Sequence, residues 1–97
     1  MRPKKLTLRR AALRDLARHE TYLGGIRGEE FARRWTGALL AWLEHRADLG
    51  AQFGTAHPGD PRYRTFGYQR QATILAEFTD DALDVVRIRF AGEDWLK

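Results

Sequence analysis

The sequence predicts an α+β fold in which two helices cover one face of an antiparallel sheet. Apolar residues recur with the period of a helix in two segments of the first half of the chain. In three segments of the second half, apolar and polar residues alternate with the period of a strand. A short segment with the same alternation precedes the first helix. The predicted order is therefore an N-terminal strand, an antiparallel helical hairpin and a three-stranded antiparallel meander.

The first predicted strand spans residues 4–8, where leucines alternate with polar neighbours. A helix is predicted over residues 10–23, because the apolar spacing becomes helical there. Gly24 and Gly25 are predicted to end this helix, since glycine readily adopts the left-handed conformation of a helix terminus. The inward stripe of the helix is predicted to contain Leu13, Leu16, Ala17, Glu20 and Leu23.

A second helix is predicted to begin near Gly28. Glu29 and Glu30 fall in its first turn, where the positive end of the helix dipole favours carboxylates. Because only a few residues separate the two helices, they are predicted to pack as an antiparallel hairpin. The apolar stripe of the second helix is predicted to contain Phe31, Trp35, Ala38, Leu39 and Trp42.

Residues 48–61 are rich in glycine and proline, and their apolar residues recur with the period of neither a helix nor a strand. These residues are therefore predicted to form a loop. Strands are predicted at 62–68, 70–78 and 83–90. The side that faces the helices is predicted to carry Ala72, Ile74, Ala76, Phe78, Val86, Ile88 and Phe90. The outward side is predicted to carry Gln71, Thr73, Leu75, Glu77, Leu83, Val85, Arg87 and Arg89. That side is more apolar than a solvent-facing surface needs, which predicts a docking surface.

Length and composition predict one domain over residues 1–97. A chain of 97 residues supports one hydrophobic core, and its 43% hydrophobic and 31% charged residues are a normal globular balance. No segment approaches the roughly 20 apolar residues of a membrane span, and the basic start has no apolar run of signal-peptide length. A cytoplasmic protein without a membrane partner is therefore expected.

The residue types disfavour several kinds of active site. The chain has no cysteine and no serine, which removes disulfides, thiolate metal sites and the commonest nucleophiles. His19, His45 and His57 lie on two predicted helices and a loop, without the paired spacing of metal ligands. The sequence therefore predicts no metal site and no cofactor.

The chain is basic, and its charge is uneven. The net charge is +4, and residues 1–50 hold 11 Lys or Arg against 6 Asp or Glu, whereas residues 51–97 hold 6 against 7. Fourteen of the 17 cations are arginines. Because the planar arginine side chain suits phosphate and carboxylate, an acidic partner is predicted.

Arginines recur on the three late strands. Converging guanidinium groups could bind phosphates or stabilise the charged transition state of phosphodiester cleavage. They could equally pair with acidic side chains of a protein partner, or be solvated, and the sequence leaves these three interpretations open. The set is Arg62, Arg64, Arg70, Arg87 and Arg89, of which the first two and the last two share strand faces.

Several short segments occur in an order typical of one family. They are ALRDL at 12–16 with Tyr22 after it, Gly28, Ala32 and Leu39 in the second helix, Gly50 in the loop, YQRQATILAEF at 68–78 and VVRIRFAGEDW at 85–95. Together with the order of the elements, they resemble the RelE/ParE superfamily of bacterial type II toxins over nearly the whole chain. The long hairpin and the C-terminal AGEDWLK resemble ParE more closely. RelE-like ribonucleases tend to place a general acid, often Tyr or His, near the end of the last strand, where this chain has Trp95.

The resemblance implies the toxin component of a type II toxin–antitoxin system. A ParE-like toxin arrests growth by inhibiting DNA gyrase, and a cognate antitoxin neutralises it in a hetero-oligomeric complex. By resemblance, the residues expected to contact the antitoxin are Leu75, Val85, Arg87 and Tyr22, with Trp42 as a further candidate. Those expected to contact the target are Glu93, Asp94 and Trp95, in the C-terminal segment 91–97.

Two alternatives differ in activity. In the first, the protein is a RelE-like, ribosome-dependent mRNA endonuclease whose partners are the ribosome and mRNA. Glu77 would then be the base candidate, and phosphate would be held by Arg64, Arg87 and Arg89. In the second alternative, the protein has the same fold but is a non-toxic binding module.

Overall fold

The computed structural model describes residues 2–91 and confirms the predicted α+β order of strand, helical hairpin and sheet. In chain order, the elements are β1 Lys5–Leu8, α1 Arg10–Arg27, α2 Glu29–Leu49, β2 Thr55–His57, β3 Asp60–Tyr68, β4 Ala72–Phe78 and β5 Ala82–Phe90. The strands form one five-stranded sheet in the order β1-β5-β4-β3-β2. Both helices pack on one face of this sheet.

The sheet is mixed, which differs from the purely antiparallel sheet that the sequence predicts. β1 runs parallel to β5, with Lys5 opposite Ala82 and Leu8 opposite Val85, whereas the other three strand pairs are antiparallel. A short additional strand, β2, forms inside the predicted loop and pairs with β3. Apolar alternation specifies which side of a strand is buried, but it does not specify the direction of the neighbouring strand.

Helix α1 continues through Gly24 and Gly25 to Arg27, so the prediction that these glycines end it was wrong. Gly28 alone separates the two helices, and its φ of 94° lies in a region that glycine adopts without steric penalty. Its N–H donates to the Gly24 carbonyl at 3.1 Å, which closes the last turn of α1. A glycine inside a helix costs about 1 kcal/mol relative to alanine, and packing of α1 against α2 and β5 outweighs that cost.

The core lies between the helical hairpin and the inner face of the sheet. Its buried side chains come from both helices and from the three central strands β3, β4 and β5. Half-buried aromatic residues, among them Trp35 and Trp42, pack against its edge. The buried set is Ala12, Leu16, Leu39, Leu43, Ala47, Phe66, Tyr68, Ala72, Ile74, Ala76, Leu83, Val85, Ile88 and Phe90.

The buried stripe of α1 differs from the predicted stripe. The structure buries Ala12, Asp15 and Leu16 and leaves Leu13 53% exposed. Ala17, predicted inward, is also exposed. The prediction relied on apolar side chains, whereas α1 is oriented so that a carboxylate faces inward and meets a partner on β5.

A β-bulge in β5 reverses the predicted orientation of Val85. Consecutive residues of β4 lie opposite Arg87 and Val85, so Val86 is an extra residue in β5. Val85 and Leu83 before the bulge and Ile88 after it are all 0% exposed. The prediction that Val85 faces outward to meet an antitoxin was therefore wrong, because strict alternation fails where a residue is inserted into a strand.

Candidate functional site

The outward face of the sheet carries a shallow concavity, here named the outward depression. Leu75 lies at its centre, with Thr65 opposite it on β3 and Arg87 opposite it on β5. It is lined by Thr65, Thr73, Leu75, Arg87 and Arg89, together with His57 of β2, and these side chains are half-buried. The depression therefore combines an apolar centre with hydroxyl and guanidinium groups at its rim.

Arg87 is held in place by Asp15 of α1. Its Nε donates to Asp15 Oδ2 at 2.8 Å, and a terminal nitrogen donates to Oδ1 at 3.0 Å. Arg18 donates to Oδ1 of the same carboxylate at 3.3 Å. This paired geometry orients the guanidinium of Arg87 more strictly than a single hydrogen bond would.

The local fold explains why Asp15 reaches this position. Strand β1 pairs with β5 as far as Val85, and the chain then enters α1 at Arg10. Beyond the bulge, the edge of β5 therefore faces α1 rather than another strand. The Ile88 N–H donates to Asp15 Oδ2 at 2.9 Å, so the carboxylate satisfies a backbone group that a neighbouring strand would otherwise pair.

The Asp15 carboxylate is 1% exposed. Burial by itself would raise the pKa of this carboxyl, but the hydrogen bonds from Arg87 and the Ile88 N–H outweigh burial and hold the pKa below its ordinary value. The charge of Arg18 acts in the same direction. The Arg87 side chain is 35% exposed and lines the outward depression, while its guanidinium is paired with Asp15.

A second ion cluster joins the start of α1 to the sheet. Arg9 donates to Asp84 Oδ2 from Nε at 2.7 Å and to Glu77 Oε1 from a terminal nitrogen at 2.8 Å. Its guanidinium also lies 5.7 Å from the centre of the Tyr63 ring. The hydrogen bond to Asp84 is the main reason that the pKa of Arg9 is raised above its ordinary value. Glu77, the base candidate of the ribonuclease alternative, is thus held in an ion pair.

The four residues of the ribonuclease alternative do not converge on one point. Arg87 and Arg89 line the outward depression. Arg64 instead donates to the carbonyls of Phe53 and Gly54 at 2.9 and 2.6 Å, so it fixes the loop before β2. With Glu77 bound to Arg9, only two arginines of the set remain together in the depression.

Tyr22 lies outside the outward depression, beside an aromatic cluster at the end of β5. It is 60% exposed, and its ring centre is 5.9 Å from that of His19. His19 stacks on Phe90 at 3.8 Å, and the Trp35 ring lies 4.9 Å from His19. The Trp35 indole N–H donates to Gln71 Oε1 at 2.7 Å, which joins this cluster to the turn between β3 and β4.

The remaining predicted contact residues have different positions. Trp42 is half-buried, and its ring lies 5.1 Å from that of Tyr68, so it packs against the core. Glu93, Asp94 and Trp95 lie outside the described residues, and their contact with a target stays a prediction.

Sequence reasoning did not identify Asp15 or Arg9 as residues that organise the site. Asp15 is part of the ALRDL segment, and a carboxylate between the buried positions 12 and 16 is a local signal of a buried ion pair. Its partner, Arg87, is 72 residues away in the chain. No local pattern links two residues at that separation.

Other kinds of site have little support. Residues 2–91 contain no group of three His, Cys, Asp or Glu side chains placed to hold a metal ion. None of the described helices is long and apolar enough to cross a membrane. A groove of about 490 Å³ lies where the two helices join, but it is lined mainly by polar and glycine residues, unlike the apolar pockets that bind small molecules. Its lining is Glu20, Thr21, Gly24, Gly25, Glu29, Ala32 and Arg33.

Comparison with known proteins reveals a similarity of fold. No protein-family model and no curated protein sequence matches this chain. The fold is similar to that of a solved chain described as the chromosomal ParDE TA system from P. aeruginosa, with a TM-score of 0.75. The two chains are 17% identical, and the alignment covers 90% of this chain and 95% of that chain. The chain therefore has a ParE-like fold, as its resemblance to the RelE/ParE superfamily predicts.

Proposed function

We propose that the protein is the toxin of a type II toxin–antitoxin pair, of the ParE-like kind. The observation that carries this proposal is the similarity of fold to the ParDE TA chain, which covers 90% of this chain and 95% of that one. The order of sequence segments from ALRDL to VVRIRFAGEDW supports it independently. The proposed target is DNA gyrase, and the proposed site of action is the cytoplasm.

The outward depression is the proposed binding surface for the antitoxin. Leu75 offers an apolar centre, and the side chains of Arg87, which is paired with Asp15, and Arg89 line the depression beside it. A partner segment with an apolar anchor between acidic residues is complementary to both features. Because Asp15 already orients Arg87, less side-chain entropy is lost when a partner binds.

The activity is tested by inducing the protein alone in a bacterial host and following DNA and protein synthesis by pulse labelling. DNA synthesis is expected to stop first, with broken chromosomes, because a gyrase inhibitor acts on DNA before it affects translation. If protein synthesis stops first and transcripts are cut, the gyrase proposal is wrong. If growth continues normally, the protein is not a toxin in that host.

The proposed antitoxin surface is tested with Leu75→Lys and with the gene product of the source genome that restores growth to cells making the unchanged chain. The variant is expected to remain toxic while that product no longer restores growth, because lysine places a charge at the apolar centre of the interface. Leu49→Lys is the matched control, since Leu49 is 52% exposed at the end of α2 and lies outside the depression. If the antitoxin neutralised both variants equally well, its binding surface would lie outside the outward depression.

The proposed target contacts are Glu93, Asp94 and Trp95, as the resemblance implies. Trp95→Ala is expected to relieve growth arrest while antitoxin binding is retained, because the two surfaces are proposed to be separate. Loss of both properties would instead point to a folding defect, which circular dichroism detects.

The mRNA endonuclease alternative has less support. Glu77 is paired with Arg9, and Arg64 contacts the loop carbonyls of Phe53 and Gly54. A catalytic base needs to reach the hydroxyl that it deprotonates, and an ion-paired carboxylate is poorly placed to do so. Full toxicity of Glu77→Gln would remove this alternative, whereas intact transcripts with that variant and cut transcripts with the unchanged chain would support it.

A further inference from the structure

The solvent face of α1 carries a line of arginines, which we call the α1 arginine stripe. Arg10, Arg14 and Arg18 follow one another at four-residue steps, so they lie on one side of the helix and span about 12 Å along its axis. All three are exposed. Arg10 and Arg14 lie opposite the buried residues of α1, whereas Arg18 reaches back to the buried Asp15.

The first two arginines of the stripe lack a neighbouring acidic group in the part of the chain that the structure describes. Within residues 2–91, no carboxylate lies at ion-pair distance from Arg10 or Arg14. Arg18 contacts Asp15 at 3.3 Å, but that buried carboxylate also accepts two hydrogen bonds from Arg87. Arg2, Arg9, Arg34 and Arg62 each have a carboxylate partner, whereas Arg27, Arg33 and Arg70 resemble Arg10 and Arg14 in having none among the described residues.

The charge at the start of α1 is also opposite to the charge that stabilises a helix. The helix begins without a side-chain cap and without an acidic residue in its first turn, and Arg10 occupies that turn. A cation there is repelled by the positive end of the helix dipole. Helix α2 has the favourable arrangement, with Glu29 and Glu30 in its first turn and Arg46 in its last. A local arrangement that costs stability is expected where a surface has a function.

We propose that the α1 arginine stripe binds the phosphate backbone of duplex DNA, without preference for base sequence. The guanidinium group forms paired hydrogen bonds with phosphate oxygens, and the helix dipole adds positive potential at the Arg10 end. Phosphate binding needs no apolar centre, whereas a protein interface normally has one. The large apolar side chains exposed on α1 are Leu13, beside the stripe, and Tyr22 and Ile26, in the turns that follow Arg18. The stripe approaches the outward depression only at Arg18, which shares Asp15 with Arg87, and the proposal does not depend on the proposed function.

The test is fluorescence anisotropy of the full chain with a labelled DNA duplex of about 20 base pairs, at several salt concentrations. Three phosphate contacts predict a slope of about −2.7 in a plot of log affinity against log salt, which is roughly a 40-fold loss of affinity between 50 and 200 mM NaCl. Arg10→Gln with Arg14→Gln removes two of the contacts. The slope of that variant is expected to fall to about −0.9, with weaker binding at every salt concentration.

Two controls separate this proposal from its alternatives. Arg27→Gln with Arg34→Gln removes the same charge from exposed positions outside the stripe and is expected to keep the slope of the unchanged chain. Leu13→Ala is expected to bind DNA normally, because the phosphate backbone makes no apolar contact there. The proposal is overturned if the full chain does not bind the duplex, if both double variants lose the same affinity, or if Leu13→Ala weakens binding as much as loss of the arginines.

A second variant tests whether the charge arrangement of α1 lowers helix stability. Arg10→Glu is expected to raise the thermal midpoint by about 2–6 °C, because it places a carboxylate at the positive end of the helix dipole. The same variant is expected to weaken DNA binding more than Arg10→Gln, since it adds a repulsive charge. A lower thermal midpoint, or DNA binding as tight as that of the unchanged chain, would contradict the proposal.

Discussion

Asp15 accepts hydrogen bonds from two nitrogens of Arg87, from the Ile88 N–H and from Arg18, all at the junction of α1 and β5. The carboxylate is buried, so each of these donors replaces a water molecule that the group would bind in the unfolded chain. One residue therefore anchors α1 to the strand edge and orients an arginine of the outward depression. Stability and the shape of the proposed binding surface depend on the same side chain.

Asp15→Asn is expected to lower the free energy of unfolding by about 2–4 kcal/mol. The amide keeps the size of the side chain but removes the negative charge, so Arg87 loses its counter-charge and one paired acceptor. Urea unfolding followed by circular dichroism measures the change. Asp81→Asn is the control, because the Arg2–Asp81 pair is exposed and its loss should change stability little. Equal stability of the two variants would show that the buried pair contributes no more than a surface pair.

The lowered pKa of Asp15 predicts a pH dependence of this contribution. The unfolded chain binds a proton at Asp15 at a higher pH than the folded chain does, so the carboxylate stabilises the fold above the unfolded pKa of about 3.9. That stability is lost as pH falls through the lower, folded pKa. The difference in unfolding free energy between the unchanged chain and Asp15→Asn is therefore expected to be constant from neutral pH down to about 5 and to shrink below about 4. Urea titrations at these pH values measure it, and a difference that grows in acid would contradict the assignment.

At the scale of elements, the turn between the two helices depends on the backbone conformation of one residue. Gly28 has a φ of 94° and is the single residue between α1 and α2, whereas Gly25 lies inside α1. A β-carbon at Gly25 would meet no atom within 4 Å. The two glycines therefore have opposite effects. Gly28 is required for the backbone conformation between the helices, whereas Gly25 lowers the stability of α1.

Gly28→Ala is expected to lower the free energy of unfolding by about 1–3 kcal/mol, because an L residue is strained at this positive φ. Gly25→Ala is expected to raise it by about 0.5–1 kcal/mol, since alanine loses less backbone entropy in a helix. Thermal and urea unfolding of the two variants test whether the free energy of unfolding falls in Gly28→Ala and rises in Gly25→Ala. A stabilising Gly28→Ala or a destabilising Gly25→Ala would contradict the described path of the hairpin.

At the scale of the whole molecule, the N-terminal segment ties distant elements together. The Lys4 N–H donates to the Ala47 carbonyl at the end of α2 at 2.9 Å, and the Lys5 N–H donates to the Asp81 carbonyl at 2.8 Å. The Lys4 ammonium also donates to the carbonyl of Thr79. The start of the chain therefore holds the end of α2 beside the turn between β4 and β5.

Gly50→Ala is expected to loosen this connection. A β-carbon there would lie 2.2 Å from the Arg2 carbonyl oxygen, and Gly50 has a φ of 75°. The expected result is faster amide hydrogen exchange at Lys4 and Lys5, together with a loss of about 1–3 kcal/mol in unfolding free energy. Gly37→Ala is the control, because a β-carbon at Gly37 in α2 meets nothing within 4 Å. An unchanged rate of amide hydrogen exchange at Lys4 in Gly50→Ala would show that the position of the N-terminal segment does not depend on Gly50.

The sequence by itself determined the order of the elements other than β2 and half of the core, since it predicted seven of the fourteen core residues to face inward. Local periodicity is sufficient for this, because it specifies which residues of a helix or strand can share an apolar face. Ile74 and Ile88 were predicted inward in this way, and both are fully buried. The resemblance to the RelE/ParE superfamily also came from the sequence, and the fold that it implies is confirmed by the similarity to the ParDE TA chain.

Only the tertiary structure decided the parallel pairing of β1 with β5, the bulge at Val86 and the partner of Asp15. Each depends on residues far apart in the chain, and local patterns carry no information on such contacts. The bulge turns Val85 inward, and the buried pair joins residues 72 positions apart. The candidate site was therefore only partly predictable: Leu75, Arg87 and Arg89 followed from alternation, whereas the residue that positions Arg87 appeared only when α1 was placed against the open edge of β5.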